Sequence, residues 1–316
     1  MEKRRIGSLE VTVVGIGCDN FGGRIDEART HEVVHAALDA GVNFFDTADD
    51  YPVIPPGLST KSEEFMGRAL KGHREEIILA TKFGLPYDDE HLGGGRPEYI
   101  RRSIEESLRR LDTDYVDLYQ FHQPDPETPI ADTLGALAEL VDDGKVIEIG
   151  CSNFTVEQMR EASSVVKEGK ARFVSVQNQY SLLYREAELE VLPECEATGL
   201  AFLPFFPLFN GLLAGGYRRG APWPEDSRFL DASDERKASV FSEHNLDIIE
   251  SLATYAEARG HTLLDLTFAR LLANPSLASV IAGAVTAEQV HSNAATASWK
   301  LSATEIAEID ALAPIS

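Results

Sequence analysis

The chain has 316 residues, 43% of them hydrophobic, which suits one large α/β barrel or two ordinary domains with a sizeable core. Its 29 basic and 52 acidic residues give a formal net charge of -23, which argues against nucleic acid and anionic membranes as partners because phosphate surfaces repel such a chain. Three cysteines without metal-ligand spacing argue against a disulfide framework or a structural zinc site. We expect a cytoplasmic protein that begins near Met1 without a secretory signal.

The first stretch, RRIGSLEVTV (residues 4–13), predicts two short strands around Gly7 and Ser8 that form a hairpin. From there, short apolar runs alternate with longer segments of helical periodicity, which is typical of βα units around a parallel sheet. The runs predict strands at VVGIG (13–17), NFF (43–45), IILAT (77–81), VDLYQF (116–121), VIEIG (146–150), FVSVQ (173–177), LAFLPF (200–205) and SVIAG (279–283). The longer segments predict helices at residues 30–40, 62–70, 97–111, 129–142, 155–164, 186–198, 237–259 with 262–272, 286–297 and 301–312.

Eight strands with eight crossovers fit a (β/α)8 TIM barrel better than an open doubly wound sheet. The hairpin is expected to plug the bottom of this barrel, and the last helix to follow it as an extra element. No repeat or linker divides the chain, so residues 1–316 are predicted to form a single domain. The uncharged segment 199–217 has the length of a membrane span, but its prolines and glycines would break a helix in lipid, so it predicts a strand that leads into a functional loop.

Polar residues follow the predicted strands at their C-terminal ends, which converge on one mouth in a TIM barrel. These residues are Asp46, Tyr51, Lys82, His122, Ser152, Asn153 and Gln177. Taken singly, an aspartate here is an ordinary cap, a tyrosine a rim residue, a lysine a solvated end and a histidine a hydrogen-bonded side chain. Their occurrence on successive strand ends favours a shared catalytic role.

The first four groups suit carbonyl reduction by hydride if they meet. A buried lysine ammonium favours the phenolate and is expected to lower the pKa of Tyr51, while Asp46 keeps Lys82 charged and positioned. Tyr51 then supplies a proton, and a neutral His122 donates a hydrogen bond to the carbonyl oxygen. An alternative makes Lys82 the Schiff-base lysine of a barrel aldolase.

Six motifs resemble the aldo-keto reductase superfamily across almost the whole chain: GVNFFDTADDY, ATKFG, DLYQFHQPD, GCSNF, VQNQYSLL and VIAGAVTAEQVHSN. The resemblance implies a (β/α)8 barrel that binds NADPH or NADH across its mouth without a Rossmann domain. It also implies the catalytic tetrad Asp46, Tyr51, Lys82 and His122. The same fold serves as an auxiliary subunit of potassium channels, which is a less favoured alternative.

The resemblance further implies the residues that hold the cofactor. Ser152, Asn153 and Gln177 would bind the nicotinamide carboxamide, Phe205 would stack on the ring, and the loop from Leu208 to Gly211 would wrap the pyrophosphate through backbone amides. The last motif contributes Gly283, Thr286, Gln289 and Asn293. Relatives that prefer NADPH carry basic residues in this motif; Gly283 and Gln289 are uncharged, so NADH competes with NADPH as the expected cofactor.

The substrate is expected to be a small carbonyl or hydroxyl compound. The residues Asn20, Asp49, Asp50 and Gln123 make the mouth polar and point to a sugar, which favours an NAD-dependent sugar or polyol dehydrogenase as the alternative function. Two loops, PVIPPGLSTK (52–61) and the long segment 215–237, are expected to overhang the mouth, the second as a lid over the cofactor. The expected assembly is a monomer or a small homo-oligomer.

Overall fold

The computed structural model describes residues 1–53, 59–224, 227–230 and 232–315. Its strands are β1 (Lys3–Ile6), β2 (Leu9–Thr12), β3 (Val14–Gly17), β4 (Phe44–Asp46), β5 (Ile78–Phe83), β6 (Val116–Phe121), β7 (Val146–Ser152), β8 (Phe173–Gln179), β9 (Ala201–Phe205) and β10 (Val280–Gly283). Its α-helices are α1 (Glu27–Asp39), α2 (Lys61–Ala69), α3 (Pro97–Leu111), α4 (Ile130–Asp142), α5 (Val156–Ser164), α6 (Val191–Thr198), α7 (Asp234–Val240), α8 (Glu243–Glu257), α9 (Leu263–Leu272), α10 (Ala287–Ala295) and α11 (Ala303–Leu312).

Strands β3 to β10 form one parallel eight-stranded sheet in the order β10-β3-β4-β5-β6-β7-β8-β9. The two outer strands approach each other where Phe202 pairs with Leu277. At this seam the Phe202 amide donates to the Ser276 carbonyl at 2.7 Å, and the Ala278 amide donates to the Phe202 carbonyl at 3.0 Å. The sheet thus curls into a (β/α)8 TIM barrel, which confirms the predicted fold.

The barrel interior at the start of the strands is filled by the hairpin. Ile6, Leu9 and Val11 of β1 and β2 pack against the buried Phe44 and Leu118 of the barrel strands. A positive φ of 56° at Gly7 makes the tight turn between the two strands. The hairpin therefore closes the bottom of the barrel, and the opposite end, where the strands end, is called the mouth.

Two of the predicted helices are interrupted. The segment 186–198 is a short 3-10 turn followed by α6, because Pro193 lacks the amide that would extend α6 backwards to Leu189. The segment 237–259 divides into α7 and α8, and the Ser242 hydroxyl caps α8 by accepting from the Asn245 amide at 3.2 Å. A proline causes the first break and a capping serine marks the second, and the periodicity of hydrophobic residues predicts neither of them.

The uncharged segment 199–217 forms strand β9 and then a 3-10 turn at Phe209–Ala214, as its prolines and glycines indicate. Leu212 and Leu213 of this turn are fully buried. Within the described ranges, no helix has the length and apolarity that crossing a membrane requires. The segment therefore leads from the barrel wall into a loop at the mouth.

Candidate active site

The mouth of the barrel brings the four tetrad candidates together. Asp46 is the last residue of β4, Lys82 lies near the end of β5, and His122 follows β6 directly, while Tyr51 lies in the loop after β4. Asp46, Lys82 and His122 are 3%, 0% and 8% exposed, so these ionisable groups are shielded from water. Parallel strands place them at one edge of the barrel because all of their C-terminal ends meet there.

Lys82 lies between a carboxylate and a phenol. Its Nζ is 2.6 Å from Asp46 Oδ2, 2.8 Å from the Thr47 carbonyl oxygen and 3.4 Å from the Tyr51 hydroxyl. The same Nζ lies 4.7 Å from the centre of the Tyr51 ring. A buried ammonium with these three oxygen partners holds the phenol at a fixed position at the mouth.

The second oxygen of Asp46 is held by two amides. Asp46 Oδ1 accepts hydrogen bonds from Gln120 Nε2 at 2.8 Å and from Gln177 Nε2 at 3.1 Å. Gln177 Nε2 also lies 3.2 Å from Gln120 Oε1. The sequence analysis did not select Gln120. A glutamine within the wholly buried strand VDLYQF does indicate a buried hydrogen-bond partner, because buried amide groups are almost always hydrogen-bonded.

The environment of Tyr51 differs from the expectation. Burial, and then the negative charges of Asp46, Asp50 and Asp19, raise its pKa well above the ordinary tyrosine value. The expected lowering by Lys82 is wrong, because Asp46 neutralises the ammonium at 2.6 Å and further carboxylates surround the phenol. Tyr51 is consequently a protonated phenol that can donate a proton but resists losing one to water.

His122 packs edge-on against Tyr51, with ring centres 5.8 Å apart and planes at 74°. Its Nδ1 lies 3.3 Å from Asp50 Oδ1, and both side chains are buried. Its backbone carbonyl accepts a hydrogen bond from Asn153 Nδ2 at 2.9 Å. The histidine is thereby fixed beside the phenol from the loop after β4 and from the end of β7.

The three predicted carboxamide-binding residues form one group at the ends of β7 and β8. The Ser152 hydroxyl donates to the Gln177 carbonyl at 2.7 Å, and the Asn153 amide donates to the same carbonyl at 3.1 Å. Asn153 adopts a positive φ of 61°, which turns the chain out of the strand. Gln177 is thus connected to Asp46 by its side chain and to Ser152 and Asn153 by its backbone.

A cavity of about 710 Å³ extends from this group across the mouth. Asp46 and Tyr51 line one part of its wall. Seven of the residues predicted to bind the cofactor also line it: Gln177, Phe205, Leu208, Gly211, Gly283, Gln289 and Asn293. Ser152, Asn153 and Thr286 are not among the residues that line it. Two tetrad residues and seven predicted cofactor residues therefore border one cavity large enough for an extended ligand.

Thr286 and Gln289 cap helix α10. Thr286 Oγ1 accepts from the Gln289 amide at 3.2 Å, and Gln289 Oε1 accepts from the Val285 amide at 2.8 Å. At Gly283, an added Cβ would come within 2.9 Å of Asn20 Nδ2. At this end of the cavity, Gly283 therefore leaves room for the side chain of Asn20, and the side chain of Gln289 is engaged in capping α10.

The predicted pyrophosphate loop is a tight turn with positive φ angles of 44°, 58° and 97° at Phe209, Asn210 and Gly211. The Gly211 amide donates to the Leu208 carbonyl at 2.9 Å. That amide is therefore engaged within the turn, and the binding of a pyrophosphate by the backbone amides of this loop stays a prediction. Left-handed residues in succession are strained outside glycine, which indicates a loop held in one shape.

Two arginines that sequence reasoning did not select also line the cavity, Arg24 and Arg228. Arg228 Nη1 donates to Asn210 Oδ1 at 3.0 Å. Burial, followed by the positive charge of Arg24, lowers the pKa of Arg228. Arg24 comes from the loop before α1, and Arg228 comes from the long segment 215–237. Because these segments are far apart in the chain, their spacing does not predict that both arginines share a cavity with Gln289.

The described part of the segment 215–237 borders the cavity through Gly216, Pro224 and Ser227 in addition to Arg228. It is anchored beneath by stacked and edge-on contacts among Tyr217, Trp223, Phe229 and Phe241. The other loop predicted to overhang the mouth is PVIPPGLSTK (52–61), and its residues 54–58 lie outside the described residues. The long segment is therefore a wall of the cavity built on an aromatic cluster.

Comparison with known proteins identifies relatives along nearly the entire chain. The model of the Aldo/keto reductase family matches residues 13–314. An L-glyceraldehyde 3-phosphate reductase of Escherichia coli (strain K12) is 31% identical over 313 residues, which cover 96% of this chain and 89% of that protein. Aldo-keto reductase YhdN of Bacillus subtilis (strain 168) is 33% identical over 312 residues, which cover 96% of this chain and 90% of YhdN.

Proposed function

The chain belongs to the aldo/keto reductase family of oxidoreductases, and from this premise we propose that it interconverts a carbonyl compound and an alcohol with Tyr51 as its proton donor. The observation that carries the proposal is the placement of Lys82 Nζ between Asp46 Oδ2, at 2.6 Å, and the Tyr51 hydroxyl, at 3.4 Å. A phenol with a raised pKa, fixed by a neighbouring ammonium, retains its proton until a developing alkoxide takes it.

Each member of the tetrad has a distinct part in this reaction. Tyr51 donates its proton to the substrate oxygen, and Lys82 positions the phenol and stabilises the charge left on it. Asp46 holds Lys82, and it is itself held by Gln120 and Gln177. His122 lies beside Tyr51 and contacts the substrate next to the reacting oxygen.

The residues of the cavity fit a nicotinamide dinucleotide, which when bound supplies or accepts the hydride. Gln177 would hold the carboxamide together with Ser152 and Asn153, which are bonded to its backbone carbonyl, and Phe205 would lie against the ring. The volume of about 710 Å³ leaves room for an extended molecule. Asn293 and the N-terminal end of α10 with Thr286 would lie at the adenosine end.

The choice between NADPH and NADH depends on whether cationic side chains can bind the additional phosphate group of NADPH. The uncharged Gly283 and Gln289 favour NADH, whereas Arg24 and Arg228 in the same cavity offer guanidinium groups, which suit phosphate oxygens. We infer that these two arginines compensate for the uncharged helix end and that NADPH binds at least as tightly as NADH. Side-by-side titration of the protein with NADH and NADPH, followed by quenching of its fluorescence, measures this ratio; a Kd for NADH several-fold below that for NADPH would contradict the inference.

The substrate is proposed to be a small carbonyl or hydroxyl compound, with a sugar-like molecule favoured by the polar side chains of Asp19 and Asp50, whose charges act on Tyr51 at the mouth. A related Escherichia coli protein is named for a reductase of L-glyceraldehyde 3-phosphate, a hydroxylated aldehyde. A dehydrogenase of sugars or polyols is the second candidate, on the same observation. We further propose a cytoplasmic protein that is a monomer or a small homo-oligomer.

Replacement of the phenol tests the proposed reaction. We expect Tyr51→Phe to lower kcat by about 10²- to 10⁴-fold, the range that a positioned general acid contributes. The Kd of the cofactor should stay within about twofold, since the hydroxyl acts on the substrate. Steady-state kinetics with an aldehyde panel and fluorescence titration measure the two quantities. Near-full turnover by Tyr51→Phe would refute the assignment of Tyr51.

A further inference from the structure

Ser62, the second residue of α2, is bonded to three segments that meet at the mouth. Its amide donates to the Tyr51 carbonyl at 3.2 Å. Its hydroxyl donates to the Cys18 carbonyl at 2.9 Å and lies 2.7 Å from Thr47 Oγ1. The residues Ser62, Thr47 and Cys18 are fully buried. One buried serine therefore connects α2 with the residue after β3 and with the loop after β4.

The direction of these hydrogen bonds follows from the groups involved. A carbonyl oxygen only accepts, so the single hydroxyl hydrogen of Ser62 is used on Cys18. The Thr47 hydroxyl therefore donates to Ser62 Oγ. The Thr47 carbonyl in turn accepts from Lys82 Nζ at 2.8 Å. Thr47 thus contacts Lys82 through its backbone and Ser62 through its side chain.

These contacts hold Tyr51 at both of its ends. The Tyr51 hydroxyl lies 3.4 Å from Lys82 Nζ, and the Tyr51 carbonyl accepts from the Ser62 amide. Lys82 and Ser62 are joined to each other through Thr47. We call Lys82, Thr47 and Ser62 the Tyr51 clamp. Because the clamp is closed, a displacement of Ser62 changes where the phenol lies relative to the ammonium.

The amide of Ser62 is available for Tyr51 because of its place in the helix. The first four amides of an α-helix have no partner within the helix, and Ser62 is in the first turn of α2. Thr60, the N-cap residue, makes no side-chain hydrogen bond to this turn. The Tyr51 carbonyl takes that part for the Ser62 amide. The start of α2 and the backbone of Tyr51 are therefore fixed to each other.

We propose that Ser62 is a positioning residue of the reaction: its hydroxyl fixes the start of α2 against Cys18 and Thr47, and its amide thereby holds Tyr51 with the phenol beside Lys82. Ser62 does not line the cavity, so it acts through the Tyr51 clamp and without touching the substrate. The inference rests on the proposed function, because it concerns the proton donor of the same site.

Kinetics of Ser62→Ala test the role of the hydroxyl. This variant keeps the amide and loses the bonds to Cys18 and Thr47. We expect kcat per cofactor site to fall about tenfold, because small displacements of a reacting group are costly. The number of sites and the cofactor Kd are measured by fluorescence titration, and the Kd should stay within about twofold. A loss of sites with unchanged kcat per site would overturn the proposal.

A double-mutant cycle tests whether Ser62 acts through Thr47. Thr47→Val removes their shared hydrogen bond from the other side and keeps the carbonyl that Lys82 binds. We expect Thr47→Val to lower kcat per site as well. The double variant should then lie no more than about twofold below the less active single variant. Losses that multiply would show that the two hydroxyls act independently, and would overturn the proposal.

The matched control is Ser107→Ala, which makes the same change at another fully buried serine. The Ser107 hydroxyl accepts from Arg110 Nη2 at 3.2 Å on α3, outside the Tyr51 clamp. Ser107→Ala should leave kcat per site within about twofold of the wild type. An equal loss of kcat per site in the two serine variants would overturn the proposal.

The position of Tyr51 can also be measured without turnover. Two-dimensional ¹H–¹³C NMR of labelled tyrosine rings in the full-length protein reports on their surroundings, and the Tyr51 signal is assigned by its loss in Tyr51→Phe. We expect Ser62→Ala to shift this signal and Ser107→Ala to leave it in place. An unchanged Tyr51 signal in Ser62→Ala would overturn the proposal. If the wild-type protein transferred hydride to no carbonyl compound with either cofactor, the proposed function would fail, and the NMR measurement would still decide the role of Ser62.

Discussion

Two buried carboxylates three residues apart in the chain occupy contrasting surroundings. In the mouth floor, formed by Asp46, Lys82, Gln120 and Gln177, both oxygens of the carboxylate are hydrogen-bonded, one to an ammonium at 2.6 Å and one to two amides. In the rear cluster, formed by Asp49, Ser103, Tyr99 and Tyr119, the carboxyl receives one hydrogen bond, from the Ser103 hydroxyl at 2.9 Å. The partners, and not the burial, differ between the two regions.

The surroundings give the two aspartates opposite uses. Burial, and then the charges of Asp50 and Glu63, raise the pKa of Asp49 well above its ordinary value, so this group holds a proton more tightly than a free aspartate does. The hydroxyls of Tyr99 and Tyr119 beside it are buried and, within the described ranges, have no hydrogen-bond partner. The mouth floor is thus an ionic network that positions a phenol, while the rear cluster is a set of neutral polar groups that fills space behind it.

The largest expected effect comes from removing the cation of the mouth floor. In Lys82→Met, Asp46 remains buried without its counter-charge, and we expect a loss of about 3 to 5 kcal/mol in the free energy of unfolding. We also expect kcat to fall by about 10³-fold or more, because Tyr51 loses its neighbour. Urea denaturation and steady-state kinetics measure the two changes.

A second substitution in this variant separates the loss of stability, which comes from the unpaired charge, from the loss of activity. Lys82→Met with Asp46→Asn removes the buried charge as well, so part of the lost stability should return while activity stays low. Ser103→Ala is the corresponding change in the rear cluster, and it should cost about 1 kcal/mol and leave kcat within about twofold. Equal losses of activity in the two regions would contradict the distinction between them.

The sequence predicts the barrel and the meeting of Asp46, Tyr51, Lys82 and His122, because strand periodicity places their strand ends at one mouth. The family resemblance singles out Asp46 in the motif DTADD, but the strand pattern alone does not separate it from Asp49, since the difference lies in Lys82 and Ser103, which the fold brings in from elsewhere. Arg228 was missed for the same reason. Contacts between distant segments depend on the closed barrel and leave no local pattern in the chain.

A smaller effect is expected at Gln120, which supports Asp46 without touching Tyr51. Gln120→Leu removes one of the amides that bind Asp46 Oδ1, and we expect kcat to fall about tenfold with a loss of about 1 to 3 kcal/mol in the free energy of unfolding. Gln123→Leu makes the same change at an exposed position three residues later and should have little effect on either quantity. A Gln120 variant with unchanged kcat would show that Gln177 alone suffices to hold Asp46.

The comparison extends to a partly buried cation, Arg228, at the cofactor end of the cavity. Arg228 has its pKa lowered by burial and by the charge of Arg24, so a bound phosphate would relieve an unfavourable arrangement. We expect Arg228→Ala to raise the Kd for NADPH about tenfold. Arg219→Ala, on a more exposed arginine of the same segment, should change it less than about twofold, as fluorescence titration can measure.

A variant that adds a positive charge tests where the additional phosphate of NADPH binds. Gln289→Arg adds a guanidinium at the N-terminal end of α10 and should shift the preference toward NADPH. It also removes the acceptor that Gln289 Oε1 presents to the Val285 amide, so we expect some loss of stability at the cap. An unchanged ratio of the two Kd values would show that the adenosine phosphate does not lie near Gln289.

The smallest effect is a dependence of stability on pH that originates in the rear cluster. Because the folded-state pKa of Asp49 is raised, the folded protein binds a proton that the unfolded chain releases above its ordinary value of 3.8. The contribution of this group to stability is therefore complete below that pH and declines as the pH rises toward the folded-state pKa, by up to about 1.4 kcal/mol per pH unit. The Asp49→Asn side chain does not titrate, so the free energy of unfolding of this variant should increase relative to that of the wild type as the pH rises above 3.8. Asp89→Asn, an exposed aspartate, is the control; a wild-type difference that stays constant across this range would mean that Asp49 is ionised in the folded protein and that the rear cluster is a second ionic site.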